Sequence, residues 1–94
     1  MVNFFTTSNL NAQNVGINST GATPNTSAGL DVDFSNKGVL IPRVTLTNNT
    51  DVTTVPSPVV SLMVYHNGSV GLPTAGFYYW NGTLWVNFGA QGPA

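Results

Sequence analysis

No window of helical length in this 94-residue chain runs without interruption. Gly, Pro or clusters of Asn and Thr break each one, and Asn and Thr side chains compete for the backbone hydrogen bonds that a helix needs. Long helices are excluded on that ground. Strand signals recur instead at short spacing, with turn chemistry between them. The expected fold is all-β: a small antiparallel sheet or sandwich ending in an Asn-Gly hairpin, working as an oligomeric, fibre-like module.

The strand signals can be placed one by one. Val15-Gly16-Ile17 is a short extended piece, followed by a Ser-, Thr-, Gly- and Asn-rich crossing from Asn18 to Gly29 that contains Pro24. Leu30-Asp31-Val32-Asp33-Phe34 alternates strictly, so Leu30, Val32 and Phe34 share one face and both aspartates the other. Ser35 to Gly38 turns the chain into Val39-Leu40-Ile41, a strand that must lie at an edge, bulge or stop at Pro42, which has no N–H to donate. Arg43 to Thr47 alternates again, and Asn48 to Pro58 reads as a surface loop of variable conformation. Val59 to His66 is a further strand, closed by Asn67-Gly68.

The hairpin spans Phe77 to Phe88 and centres on Asn81-Gly82, because a type I′ turn asks for two residues at positive φ. That turn sets Trp80 opposite Thr83, Tyr79 opposite Leu84, Tyr78 opposite Trp85 and Phe77 opposite Val86. One face then carries Phe77, Tyr79, Leu84, Val86 and Phe88, and the other Tyr78, Trp80, Thr83 and Trp85. Both faces are apolar or aromatic, and a small domain has one core to offer. The face with Tyr78, Trp80 and Trp85 is therefore expected to meet another subunit or a glycan.

A chain of this size buries only about two-thirds of its unfolded surface. It has no cysteine for disulfides and no Cys/His cluster for structural zinc, so oligomerisation is the remaining way to stabilise it. Charged residues make up 5% of the chain while 41% is hydrophobic, which leaves a neutral polar surface that does not repel its own copies. With Lys37 and Arg43 as the only cations and a net charge of −1, there is no patch to neutralise phosphates, so nucleic acid is excluded as a partner. No apolar run reaches the roughly 20 residues of a bilayer-spanning helix, so membrane insertion is not expected.

The two ends read differently from the middle. Residues 1–13 form an N-terminal arm or the remnant of a signal peptide with cleavage near Ala12, and Phe4 and Phe5 make the arm a candidate interface element. Residues 14–88 form the β module. Residues 89–94, Gly-Ala-Gln-Gly-Pro-Ala, are two Gly-X-Y triplets, too few to establish a collagen-like helix over a flexible tail.

The inventory for catalysis is thin: Asp31, Asp33, Asp51, His66, Lys37, Arg43 and the tyrosines, with no Glu and no Cys. A Ser61, His66 and Asp51 set has no nucleophile-elbow context, so no enzyme activity, cofactor or catalytic residue is expected. Asp31 and Asp33 share a strand face, but two carboxylates fall short of the oxygen ligands that calcium takes, and no metal site is expected. Asn-x-Ser/Thr sequons at Asn18, Asn25, Asn48, Asn67 and Asn81 are what chance produces in so Asn- and Thr-rich a chain.

At Asn14 to Asn18, Pro24 to Val32, Asn36 to Val44 and Phe77 to Val86 the chain resembles a recurring module of secreted Bacteroidetes-type surface proteins and phage tail-fibre-like proteins. The likeness covers most of residues 14–88. It departs in the single proline after Val39-Leu40-Ile41, where relatives often have two, and in the short Asn48 to Pro58 tract. The resemblance implies an extracellular, cell-surface or phage-particle fibre subunit, often adjoining collagen-like stalks, that self-assembles as a trimer or head-to-tail filament. The alternative from another class is a carbohydrate-binding, adhesive module that uses an exposed aromatic face to hold a surface glycan.

Overall fold

The computed structural model describes residues 13–89. These contain six strands and no helix: β1 (Val15–Asn18), β2 (Leu30–Asp33), β3 (Arg43–Val44), β4 (Met63–His66), β5 (Gly76–Trp80) and β6 (Trp85–Asn87). The chain divides into two compact units, the first ending at Val39 and the second beginning at Leu40. The all-β expectation holds. The antiparallel expectation holds only for β4-β5-β6, because β1 pairs β2 in parallel and β3 pairs β4 in parallel.

The first unit is a two-stranded ribbon. Val15 pairs with Leu30 and Ile17 with Val32, so these four side chains share one face, while Gly16, Asn18, Asp31 and Asp33 share the other. Residues 19–29 carry the chain back so that β2 runs in the direction of β1, a return that side-chain alternation cannot reveal. Asn residues shape this return. The Asn18 Oδ1 accepts N–H groups of Thr20, Gly21 and Ala22, and the Asn25 Oδ1 accepts that of Ser27. Val39-Leu40-Ile41 forms no strand, and Val39 and Leu40 lie exposed.

The second unit is built on the sheet β3-β4-β5-β6. Alternation sends Val64 and His66 of β4, Tyr78 and Trp80 of β5 and Trp85 of β6 inward, where they pack with Leu46. Val44, Val55, Leu62 and Leu72 close the margins of this core. Every buried hydrophobic side chain among the described residues belongs to this unit.

Two expected elements are corrected here. The strand from Val59 to His66 begins only at Met63, because a β-bulge precedes it: the Ser61 N–H donates to the Trp80 carbonyl (2.7 Å) while the Trp80 N–H donates to that of Leu62 (3.0 Å). Two residues thus oppose one. Ser61 takes φ of 76°, a conformation glycine usually fills. The hairpin forms, but its register moves by two, to Trp80 opposite Trp85, Tyr79 opposite Val86 and Tyr78 opposite Asn87. Asn81 does not sit at a central turn position with positive φ. Its N–H donates to the Leu84 carbonyl (3.0 Å), and its Oδ1 accepts the N–H groups of Thr83 and Leu84, which leaves Gly82 (φ 102°) and Thr83 at the tip.

The Asn48 to Pro58 tract is not a loose surface loop. Asp51 is its hub, with a buried carboxylate that accepts the N–H groups of Thr47, Thr53 and Thr54 and the hydroxyls of Thr47 and Thr54. Burial pushes this carboxyl up, but the Thr54 hydroxyl and the N–H groups of Thr47, Thr54 and Thr53 outweigh that effect and hold it well below the usual carboxylate range. The loop is tied to β6 by the Trp85 N–H on the Asn49 carbonyl (2.8 Å) and the Trp85 indole N–H on the Asp51 carbonyl (2.7 Å).

Candidate assembly surfaces

The structure places Tyr78, Trp80 and Trp85 inside a single chain, at 3%, 6% and 2% exposure. That corrects the expectation of an outward Tyr78/Trp80/Trp85 face: these residues are the second unit's own core. Sequence alternation separates the two hairpin faces but does not say which one the rest of the chain covers. Hydrogen-bond capacity decides in favour of the tipped aromatics, since a buried Tyr or Trp needs a polar partner. Tyr78 donates its hydroxyl to the Thr74 carbonyl (2.7 Å), and Trp85 reaches Asp51. The indoles of Trp80 and Trp85 meet at 5.2 Å, and His66 meets Tyr78 edge-on at 5.4 Å.

The face left outward is the other one. Tyr65 packs edge-on to Phe77 (5.2 Å), Phe77 lies beside Phe88 (6.0 Å), and Phe88 beside Tyr79 (5.8 Å), so four rings run in sequence across β4, β5 and the end of β6. Phe77, Phe88 and Met63 are exposed along it. Ser61, Met63, Tyr79 and Phe88 line a shallow, open cavity of about 290 Å³ on this face. Its walls are almost wholly apolar, and the Ser61 hydroxyl donates to the neighbouring Val60 carbonyl.

The first unit presents a second apolar face. Val15, Ile17 and Leu30 are 45%, 49% and 59% exposed on one side of the ribbon. Phe4 and Phe5 lie outside the described residues.

The groups weighed for catalysis are engaged elsewhere. The Leu46 N–H donates to the His66 Nδ1 (3.0 Å), so the ring's proton is on Nε2, which donates to the Leu72 carbonyl (2.7 Å). His66 is fully buried in this bridge. Asp51 spends its carboxylate on the loop, and Asp31 accepts the Asn25 N–H (2.8 Å). Among the described residues no group of three or more His, Cys, Asp or Glu is placed to hold a metal ion.

The sequons have a local meaning that chance composition hid. In those of Asn18, Asn25, Asn48 and Asn81 the asparagine Oδ1 accepts the N–H of the Thr or Ser two positions on. Each is an Asx turn, and the spacing itself was the readable signal.

A chain with no helix among its described residues, a thin core, two exposed apolar faces and almost no charge has the features of a structural β module that associates with copies of itself. Residues 16–93 match the phage tail-like trimerisation region, and the chain belongs to that family. It is a trimerising, tail-fibre-like structural subunit in the general sense that the family defines. No curated protein and no solved structure matches it.

Proposed function

We propose that this chain is a structural joint of an extracellular or phage-particle fibre, holding three subunits together by packing apolar sheet faces that a single copy leaves exposed. The observation that carries the reading is the ring sequence Tyr65, Phe77, Phe88 and Tyr79 on a well-formed sheet, with Met63 and an apolar cavity beside it. Soluble monomers rarely leave such a contiguous surface uncovered. The charge nearest to it is Arg43, beside Tyr65 at the β3 margin, and none lies between the four rings. The arm of residues 1–13, with Phe4 and Phe5, contributes in this reading to the contact with a neighbouring copy.

The joint is non-enzymatic in this reading, and its Asp51 and His66 act as structural bridges. A glycan-holding role would fall to Phe77, Tyr79 and Phe88 rather than to the buried trio. The cavity walls favour an apolar partner, because sugar hydroxyls need more donors and acceptors than Ser61 and Tyr79 offer.

Sedimentation equilibrium on the intact chain tests the reading. A single species of three chain masses is expected, and a strictly monomeric chain or an open-ended distribution of sizes would overturn it. Phe77→Ser combined with Phe88→Ser is expected to weaken the association, and saccharides are expected to leave it unchanged.

A further inference from the structure

A two-stranded ribbon is marginal in water, and parallel strands are found almost only where both faces are covered. The β1–β2 ribbon has one face partly roofed by its own chain. Pro24 lies so close over Gly16 that a Cβ there would come within 3.2 Å of the proline ring, and Asn25 beside it donates its N–H to the Asp31 carboxylate. The polar face, with Gly16, Asn18, Asp31 and Asp33, is thus only partly roofed: Asn18 and Asp31 are half-buried, while Gly16 and Asp33 stay exposed. The bare face is the apolar one, with Val15, Ile17 and Leu30 exposed and Val32 half-buried. This inverts the usual arrangement of a solvated sheet.

We propose that the Val15, Ile17, Leu30 and Val32 face closes on the same face of two further copies of this chain, about the axis of the trimer. The inference rests on the trimeric reading above and names a surface in the first unit that the aromatic face of the second does not supply. The occupant is a copy of the chain for reasons on the ribbon itself. The trimerisation-region match takes in all of β2 and β1 from Gly16 onward. Four aliphatic side chains offer no donor, acceptor or charge to a sugar or an ionic partner. Both aspartates of the ribbon lie on the opposite face, so three like faces meet without carboxylates at the axis. Rotational symmetry then lets one patch serve every copy.

The intact chain is tested in two arms. Sedimentation equilibrium of the parent comes first, and a parent that is not trimeric overturns the trimeric reading itself. Given a trimeric parent, Ile17→Asp and Leu30→Asp are each expected to raise its dissociation midpoint by about a hundredfold or more, since each forces an unpaired carboxylate into a shared apolar contact. Asp33→Asn, exposed on the opposite, polar face, is expected to leave the midpoint where it was. Emission from Trp80 and Trp85 reports that the second unit stays folded in each variant.

The second arm uses the absence of native cysteine. Mild oxidation of Ile17→Cys is expected to give disulfide-linked pairs of chains, and Asp33→Cys none. Trimers that keep the parent's midpoint with both aspartate variants, or cross-linking at position 33 that equals or exceeds that at 17, would overturn the proposal.

Discussion

The two units show opposite answers to one problem, how a chain with so few charges keeps its apolar side chains from water. From Leu40 onward the chain buries its own: Leu46, Val64, Tyr78, Trp80 and Trp85 close a core in which the Tyr78 hydroxyl and the Trp85 indole find carbonyl partners. Up to Val39 the described residues bury no apolar side chain, and the interstrand pairing among them is a parallel ribbon with aliphatic residues outside. The difference teaches that regular backbone pairing and a core are separable. The second unit has a core of its own, and the first, among the described residues, has none.

Substitutions in the second unit can break that contrast. The largest effect is expected for Trp85→Ala, which removes a core side chain together with the indole tie from β6 to the Asp51 carbonyl. A loss of about 3 to 5 kcal/mol is expected in denaturant unfolding followed by near-UV circular dichroism. Should the variant unfold no more easily than the parent, the second unit would not be the self-sufficient one.

Next in size is Asp51→Ala. Three loop N–H groups lose a charged acceptor, and about 2 to 4 kcal/mol should go with it. The pH dependence has a definite sign. The folded carboxyl titrates below its unfolded value, so its contribution is complete above that unfolded value, about pH 4, and fades as pH falls further toward the folded value. Parent stability should therefore slope downward in acid below about pH 4, and Asp51→Asn should flatten the slope. An unchanged acid slope in Asp51→Asn would remove Asp51 as its source.

The smallest effect sharpens the comparison from the stabilising side. Ser61 holds φ of 76° at the bulge, where glycine carries no Cβ penalty. Ser61→Gly should raise the thermal midpoint through a gain of up to about 1 kcal/mol, offset in part by the freer unfolded chain. A clear drop in the midpoint would mean that the bulge depends on the serine hydroxyl.

Much of the fold was legible in the residues, and the failures have physical causes. Side-chain period fixed which hairpin residues share a face, and a register shift by two keeps that partition intact, so Phe77 stayed with Tyr79 and Trp80 with Trp85. The register itself turned on where the Asn81 amide found its donors, a contest between side chain and backbone that the dipeptide Asn-Gly does not decide. The buried rings meet carbonyls at Thr74, just ahead of Tyr78, and at Asp51, remote in sequence from the Trp85 indole that it serves. Parallel pairing of β1 with β2 came from the path of residues 19–29, to which alternation is blind. The assembly surface was legible as a necessity, from scarce charge and a thin core, but not as a location.

The way the second unit's sheet is finished at its sides limits how far it can grow. The outer side of β6 is held by the Asn49 carbonyl at Trp85, and β3 is two residues long and starts directly after a proline. An incoming strand finds almost no free ladder to extend, the same blunting by which soluble proteins resist templated stacking. Crowding such chains on one fibre thus carries little risk of running the sheets together into an endless fibril. Copies joined through their faces instead reach a fixed number and stop.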